Sequence, residues 1–302
     1  MKNLKIKLKK YLKDKSDFLL YIIAKVFFLF FKNFVSYKNT VKIAGIFGKL
    51  LGKLPIERKD YILNNIKDCF PDLDEKAVKK IYEKSCENFV RNIFDFTKFD
   101  YIRKNFVKYI TIKDEFGFLD EKKFLIFTAH FGNWELIGMP FLNYNNLYGI
   151  YKPPKNKYMN AFFKKIRMQD SGNKYKMLEG NAKNLFYINS VFTKYFNAKF
   201  AMLMDQKIKE GENLLFFNKK AKTSTFLAKM AIKHNIPLVP MRVIRNLNNY
   251  TFIIEISKEL DKKDENGNKL NYLELTQKMN DVIEKWVKDD PYQWFFLHKR
   301  WG

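Results

Sequence analysis

Cysteine is nearly missing from this chain: Cys69 and Cys86 are the only two in 302 residues. That excludes a small disulfide-stapled scaffold, and their separation matches no metal-ligand spacing. Both read as reduced, inert thiols. Histidine is almost as scarce, with only His130, His234 and His298. So few leave no zinc site of the common kinds in view. There are 12 glycines and 8 prolines, with no glycine-rich phosphate loop and no low-complexity linker. No G-x-S-x-G elbow is present either, which removes the support for serine-hydrolase chemistry. Acidic residues are in deficit: 32 Asp+Glu against 57 Lys+Arg leave a net charge of +25. Long apolar runs are also absent. The longest, 18–31, is broken by Lys25 and falls short of the about 20 residues a membrane span needs. With a mean hydropathy of −0.38, the chain is no polytopic membrane protein.

What is present argues for a folded domain with a large core. Hydrophobic residues make up 47% and aromatics 17%, too many for a disordered chain. A sequence pI near 9.7 favours anionic partners: nucleic acid, anionic lipid or an acidic protein. The same excess of Lys, Asn, Ile, Phe and Tyr is what an AT-rich genome imposes, so charge alone chooses none of them. A nucleic-acid binder lacks any recognised motif here and leaves the apolar N-terminal run unexplained.

Residues 1–15 are a lysine-rich lead into the apolar run. On a helix, Asp14, Tyr21, Lys25, Lys32 and Ser36 fall near one stripe, with Phe and Leu over the rest. This predicts a membrane-association helix over 1–37, inserted shallowly with its lysines reaching anionic headgroups. No small-residue cleavage site follows, so a signal peptide fits poorly. Residues 38–302 read as a single α/β domain. Apolar spacing predicts helices over 56–105, broken at Pro71 and capped at Asp72 or Asp74. Five apolar runs then predict buried strands: 124–129, 146–151, 199–204, 237–244 and 250–256. Helical segments at 157–168, 181–196, 223–234 and 271–288 alternate with them. Alternation of this kind predicts a mixed, mostly parallel sheet flanked by helices. The polar stretch 259–271 reads as a surface loop.

The segment FLIFTAHFGNWELIG (124–138) carries the chemistry. A buried strand ends at Ala129; His130, a Gly132-Asn133 turn and a helix start at Trp134 follow. Strand-to-helix junctions are where open α/β sheets place their sites. Across a tight turn, Glu135 can reach one imidazole nitrogen of His130 and leave the other as a base. The pair alone leaves open whether His130 is catalytic or structural. His234 reads as a helix C-terminal residue, and His298 as structural or as a headgroup contact.

His130-Phe131-Gly132-Asn133-Trp134-Glu135 resembles the H-x-x-x-x-E motif of glycerolipid-type acyltransferases. The longer AHFGNWE string is similar to the late lauroyl/myristoyl acyltransferases of lipid A biosynthesis. Further blocks resemble that family in the same order: Tyr151-Lys152-Pro153 with Asn156 and Arg167, the stretch 201–225 beginning AMLMDQ, IPLVPMRVIR (236–245) and DDPYQWFFLHKRWG (289–302). Lys152 stands where arginine is usual, and Gln206-Lys207 follows Asp205 where a second acid is common. The resemblance implies transfer of a fatty acyl chain from acyl carrier protein to a hydroxyl of a Kdo-bearing lipid A precursor, at the cytoplasmic face of the inner membrane. His130 would be the general base and Glu135 its orienting group. Asn133, Tyr151, Lys152, Arg167, Asp205, Gln206 and Arg242 would bind substrate, the cations facing phosphates. No metal or redox cofactor is implied, the donor carrying its own phosphopantetheine. The expected partners are acyl carrier protein, the lipid A precursor and an anionic membrane surface, and no nucleic acid. Another membrane glycolipid or glycerolipid as acceptor is the alternative.

Overall fold

The structure is a computed structural model that describes residues 2–55, 57–142, 146–168 and 175–301. Met1, Ile56 and Gly302, at the margins of predicted segments, lie outside them. The chain opens with α1 (Lys2–Phe34), α2 (Tyr37–Lys53), α3 (Lys59–Cys69), α4 (Glu75–Asp95), α5 (Phe99–Lys104) and α6 (Phe106–Tyr109). Then come β1 (Ile110–Asp114), β2 (Lys123–Thr128), β3 (Leu147–Tyr151), α7 (Lys157–Met168), β4 (Tyr175–Glu179), α8 (Ala182–Lys194) and β5 (Ala198–Leu203). The chain closes with β6 (Glu212–Phe216), β7 (Lys219–Thr223), α9 (Phe226–His234), β8 (Leu238–Asn246), β9 (Thr251–Ile256) and α10 (Tyr272–Asp289).

Among the described residues, seven strands form one sheet in the order β1-β9-β8-β2-β5-β3-β4. Every pairing is parallel except β8 with β9. This is the mixed, mostly parallel α/β fold that the alternation predicts. The apolar run of β2 has a physical reason. Leu125 and Phe127 join the core under α4, α8, α9 and α10, while Phe124 and Ile126 join the core on the opposite face. A strand covered on both faces needs no polar alternation.

Apart from the helix start at Trp134, each strand and helix predicted after residue 106 is present, within a few residues of its expected ends. The 56–105 region is three helices, with the break at Pro71 and Asp74 as the cap of α4, its carboxylate accepting from Ala77 N at 2.7 Å. Four strands escape the pattern. β1 and β4 are half-exposed edge strands without an apolar run. The β6–β7 hairpin turns at Phe217-Asn218, both at positive φ, so it lacks the glycine that marks such turns. Nor does a full helix start at Trp134. A single 3-10 turn, Trp134–Leu136, forms, and Gly138 and Pro140 follow at once.

The N-terminal helix departs from expectation in its facing. The stripe of Asp14, Tyr21 and Lys32 turns toward the protein. Asp14 accepts from the Tyr158 hydroxyl at 3.1 Å, Tyr21 packs on Tyr158 and Phe162, and Lys32 pairs with Asp100. Ser36 caps α2. Of the two lysines on that stripe, Lys32 is thus taken up by Asp100 while Lys25 stays exposed, and the apolar side of α1 faces outward. No helix of the described residues is long and apolar enough to cross a membrane.

α2 lies tightly against α4 through Gly45, Gly48 and Gly52. A Cβ at Gly48 would sit 2.4 Å from the Glu87 Cα, in the α4 backbone. Gly48→Leu should therefore lower unfolding free energy by about 1–3 kcal/mol, as overpacking does. Chemical denaturation of the variant beside the wild type measures it.

Candidate active site

β2 and β5 run side by side in register, Thr128 opposite Leu203, and the Met204 N–H donates to Thr128 O at 2.9 Å. Their C-terminal ends therefore deliver His130 and Asp205 to the same place. His130 Nδ1 lies 2.8 Å from Asp205 Oδ1, and the His130 backbone N–H donates to Oδ2 at 2.9 Å. Asp205 is buried. The Trp294 indole N–H also donates to Oδ2 at 2.8 Å, and His298 Nε2 donates to the Asp205 carbonyl at 2.8 Å. Burial by itself would raise this carboxyl; the charge and hydrogen bonds of His130, with the field of His298, outweigh burial and hold it well below the usual carboxylate range. With Nδ1–H given to Asp205, the proton-free nitrogen of a neutral His130 is Nε2. Its neighbour is the Gln206 amide, Nε2 to Nε2 at 3.2 Å. Trp134 stands edge-on to the imidazole at 4.9 Å, and the His130 side chain keeps 15% of its surface open.

Glu135 does not orient His130. Its carboxylate is held bidentately by Arg167 of α7, at 2.6 and 2.5 Å. The physical reason is the turn: the one-turn 3-10 helix carries Glu135 toward α7, and the buried Asp205 already occupies Nδ1. Arg167 also lies over the Phe96 and Tyr151 rings. The pair lines a small hollow together with Phe99, Arg103, Met139, Leu142, Ile166 and Tyr175.

The turn is braced from α4. Gly132, at φ +56°, presses so close to Val243 O that a Cβ would lie 1.7 Å away, so no other residue fits. Its carbonyl accepts from Asn88 and Asn92 at 3.0 and 2.7 Å, and its N–H donates to Gln293 O at 3.0 Å. Asn133 is fully buried and donates to Asp95 at 2.8 Å. Arg245 closes the network, pairing with Asp95 at 2.7 Å and Asn88 at 3.0 Å.

The predicted site residues thus divide. His130, Asp205 and Gln206 meet directly, and Glu135, Arg167 and Tyr151 form a neighbouring group. Tyr151 donates to Asn160 at 3.0 Å. Asn133 lies buried inside the brace, its amide serving Asp95. Arg242 bonds Glu255 at 3.0 Å and Asp289 at 3.5 Å, so its charge is matched within the fold. Lys152 is exposed just beyond β3. His234 ends α9 as expected. Sequence reasoning missed the pairing of Asp205 with His130 and the Asn88, Asn92, Asp95, Arg245 and Trp294 supports. The shared signal was available: each of His130 and Asp205 follows a buried apolar strand. What it lacked was the adjacency of those strands.

A family model described as bacterial lipid A biosynthesis acyltransferase matches residues 9–302. A search of curated proteins finds no match.

Arg245→Met leaves Asp95 buried and without its cation. It should destabilise the fold by about 3–5 kcal/mol, measurable by urea unfolding. A second expectation concerns pH. Burial lowers His298 and His234, outweighing the Asp205 carboxylate beside the first and joined by the charge of Lys233 beside the second. Both bind protons less readily folded than unfolded. Their stabilisation is complete above the ordinary imidazole value of about 6.5 and is lost as pH falls toward their folded values. The urea midpoint should therefore drop on acidification from neutral, and the His234→Asn, His298→Asn double variant should show a flatter slope.

Proposed function

The chain belongs to the bacterial lipid A biosynthesis acyltransferase family, and from that premise we propose that it moves a fatty acyl chain from acyl carrier protein to a hydroxyl of a Kdo-bearing lipid A precursor, with His130 as the general base. The observation that carries this reading is the His130–Asp205 pair, Nδ1 to Oδ1 at 2.8 Å, which leaves Nε2 as the basic nitrogen.

Each group has a step. An acceptor hydroxyl replaces the Gln206 amide at Nε2 and gives up its proton there as its oxygen attacks the thioester carbonyl. Asp205 keeps the proton on Nδ1 and stabilises the imidazolium while it exists. The C–S bond breaks, and the departing phosphopantetheine thiolate takes the proton back from Nε2. Glu135 and Arg167 act beside this pair and not through it: they hold α7 against the turn. Lys152, exposed at the end of β3, faces acceptor phosphate. The reading places the enzyme at the cytoplasmic face of the inner membrane. Its outward-turned apolar side of α1 rests in that surface, and the lysine lead attracts anionic lipid.

Purified protein given acyl-carrier thioesters and a tetraacylated Kdo-bearing precursor should add one acyl mass by mass spectrometry. Thioester hydrolysis without a mass gain would mean a different acceptor, and neither reaction from folded protein would overturn the reading. His130→Ala should abolish transfer. Asp205→Asn should cut kcat by roughly 10²–10⁴ with little change in KM, the range for a misdirected general base. Glu135→Gln should raise KM while leaving the pH profile of kcat in place.

A further inference from the structure

From Ala44 onward α2 is packed inside out. Its smallest residues, Ala44, Gly45, Gly48 and Gly52, face the protein, while Ile46, Phe47, Leu50 and Leu54 are left 53–60% exposed. A helix that serves only a soluble fold puts its large apolar residues inward. At 3.6 residues per turn, the outward surface of α2 divides in two. Ile43, Ile46, Phe47, Leu50 and Leu54 form one stripe, and Lys38, Lys42, Lys49 and Lys53 form another beside it.

The apolar stripe is continuous with that of α1. Phe94 of α4 receives Phe27 and Phe31 from α1, each at 4.9 Å between ring centres, and Phe47 from α2 at 5.9 Å. The outward face of α1 beside this junction carries Leu19, Ile22, Ile23, Val26, Leu29 and Phe30, all exposed.

We infer that α2 is a second membrane-docking helix, its apolar stripe sunk beside α1 in the acyl region of an anionic bilayer and its lysine stripe at the headgroup phosphates. The inference rests on the reading of α1 given above. The lysine stripe selects the occupant: protein interfaces are depleted of lysine, whereas a lysine row flanking an apolar stripe matches the boundary between acyl chains and phosphates. There is a consequence for catalysis. Gly48 seats α2 on Glu87, and the next residue, Asn88, holds the Gly132 carbonyl of the catalytic turn. The bilayer surface and the base are thus joined through one helix, which fixes the height of His130 above the lipid.

Both native cysteines are buried, so single cysteines at exposed positions can be labelled selectively with an environment-sensitive fluorophore. The variants are Ile23→Cys in α1, Leu50→Cys in α2 and Asn266→Cys in the exposed loop before α10. Each is bound to vesicles of phosphatidylethanolamine and phosphatidylglycerol with brominated acyl chains. The inference expects quenching at 23 and 50 and none at 266. Quenching at 23, with the label at 50 still open to aqueous iodide, overturns the role of α2 and leaves α1 standing. Quenching at neither overturns both. In parallel, Ile46→Gln, Leu50→Gln and Leu54→Gln together should weaken vesicle partitioning at least about tenfold, and unchanged partitioning of the folded variant overturns the inference.

Discussion

A single buried carboxylate organises this molecule. Asp205 accepts from the His130 ring, the His130 backbone and the Trp294 indole, while its carbonyl receives His298. Those bonds join the end of β2, the end of β5 and the C-terminal segment, three parts of the chain far apart in sequence. A charge this deep is costly to desolvate, and only a full set of partners offsets the cost. The same set that makes the charge tolerable also fixes the tautomer of His130.

A second brace keeps the catalytic turn from relaxing. Gly132 holds a left-handed conformation against Val243, and its carbonyl is caught between two asparagines of α4. Arg245 and Asp95 complete that network at the centre of the fold. On the other side, Glu135 clasps Arg167 of α7, and α7 in turn receives α1 through Tyr158 and Phe162. The turn is gripped from both sides, by α4 and α7, and on these two helices α2 and α1 pack with their apolar faces outward.

The strong positive charge takes on a narrower meaning in this setting. Arg167, Arg242 and Arg245 are each matched by a carboxylate inside the fold. Their guanidinium forks suit bidentate internal pairs. The excess charge is carried by lysines on the surface, whose flexible, strongly hydrated ammonium groups need no fixed geometry.

The buried strands that carry the site were legible because burial leaves a local mark. A strand covered on both faces must be apolar throughout, so 124–129, 199–204 and 237–244 stand out, and so does His130 at the end of one of them. Capping at Asp74 and the break at Pro71 are local too. The edge strands β1 and β4 left no such mark, and the β6–β7 turn uses Phe217-Asn218 where glycine would have signalled it. The sequence by itself determined the α/β class and the family, and it singled out His130. Only the tertiary structure decided the partner of that histidine. Glu135 is five positions away along the chain yet belongs to Arg167, while Asp205 becomes the neighbour of His130 because β5 pairs in register with β2. Strand adjacency is set by the packing of the whole sheet, and no local pattern of residues encodes it.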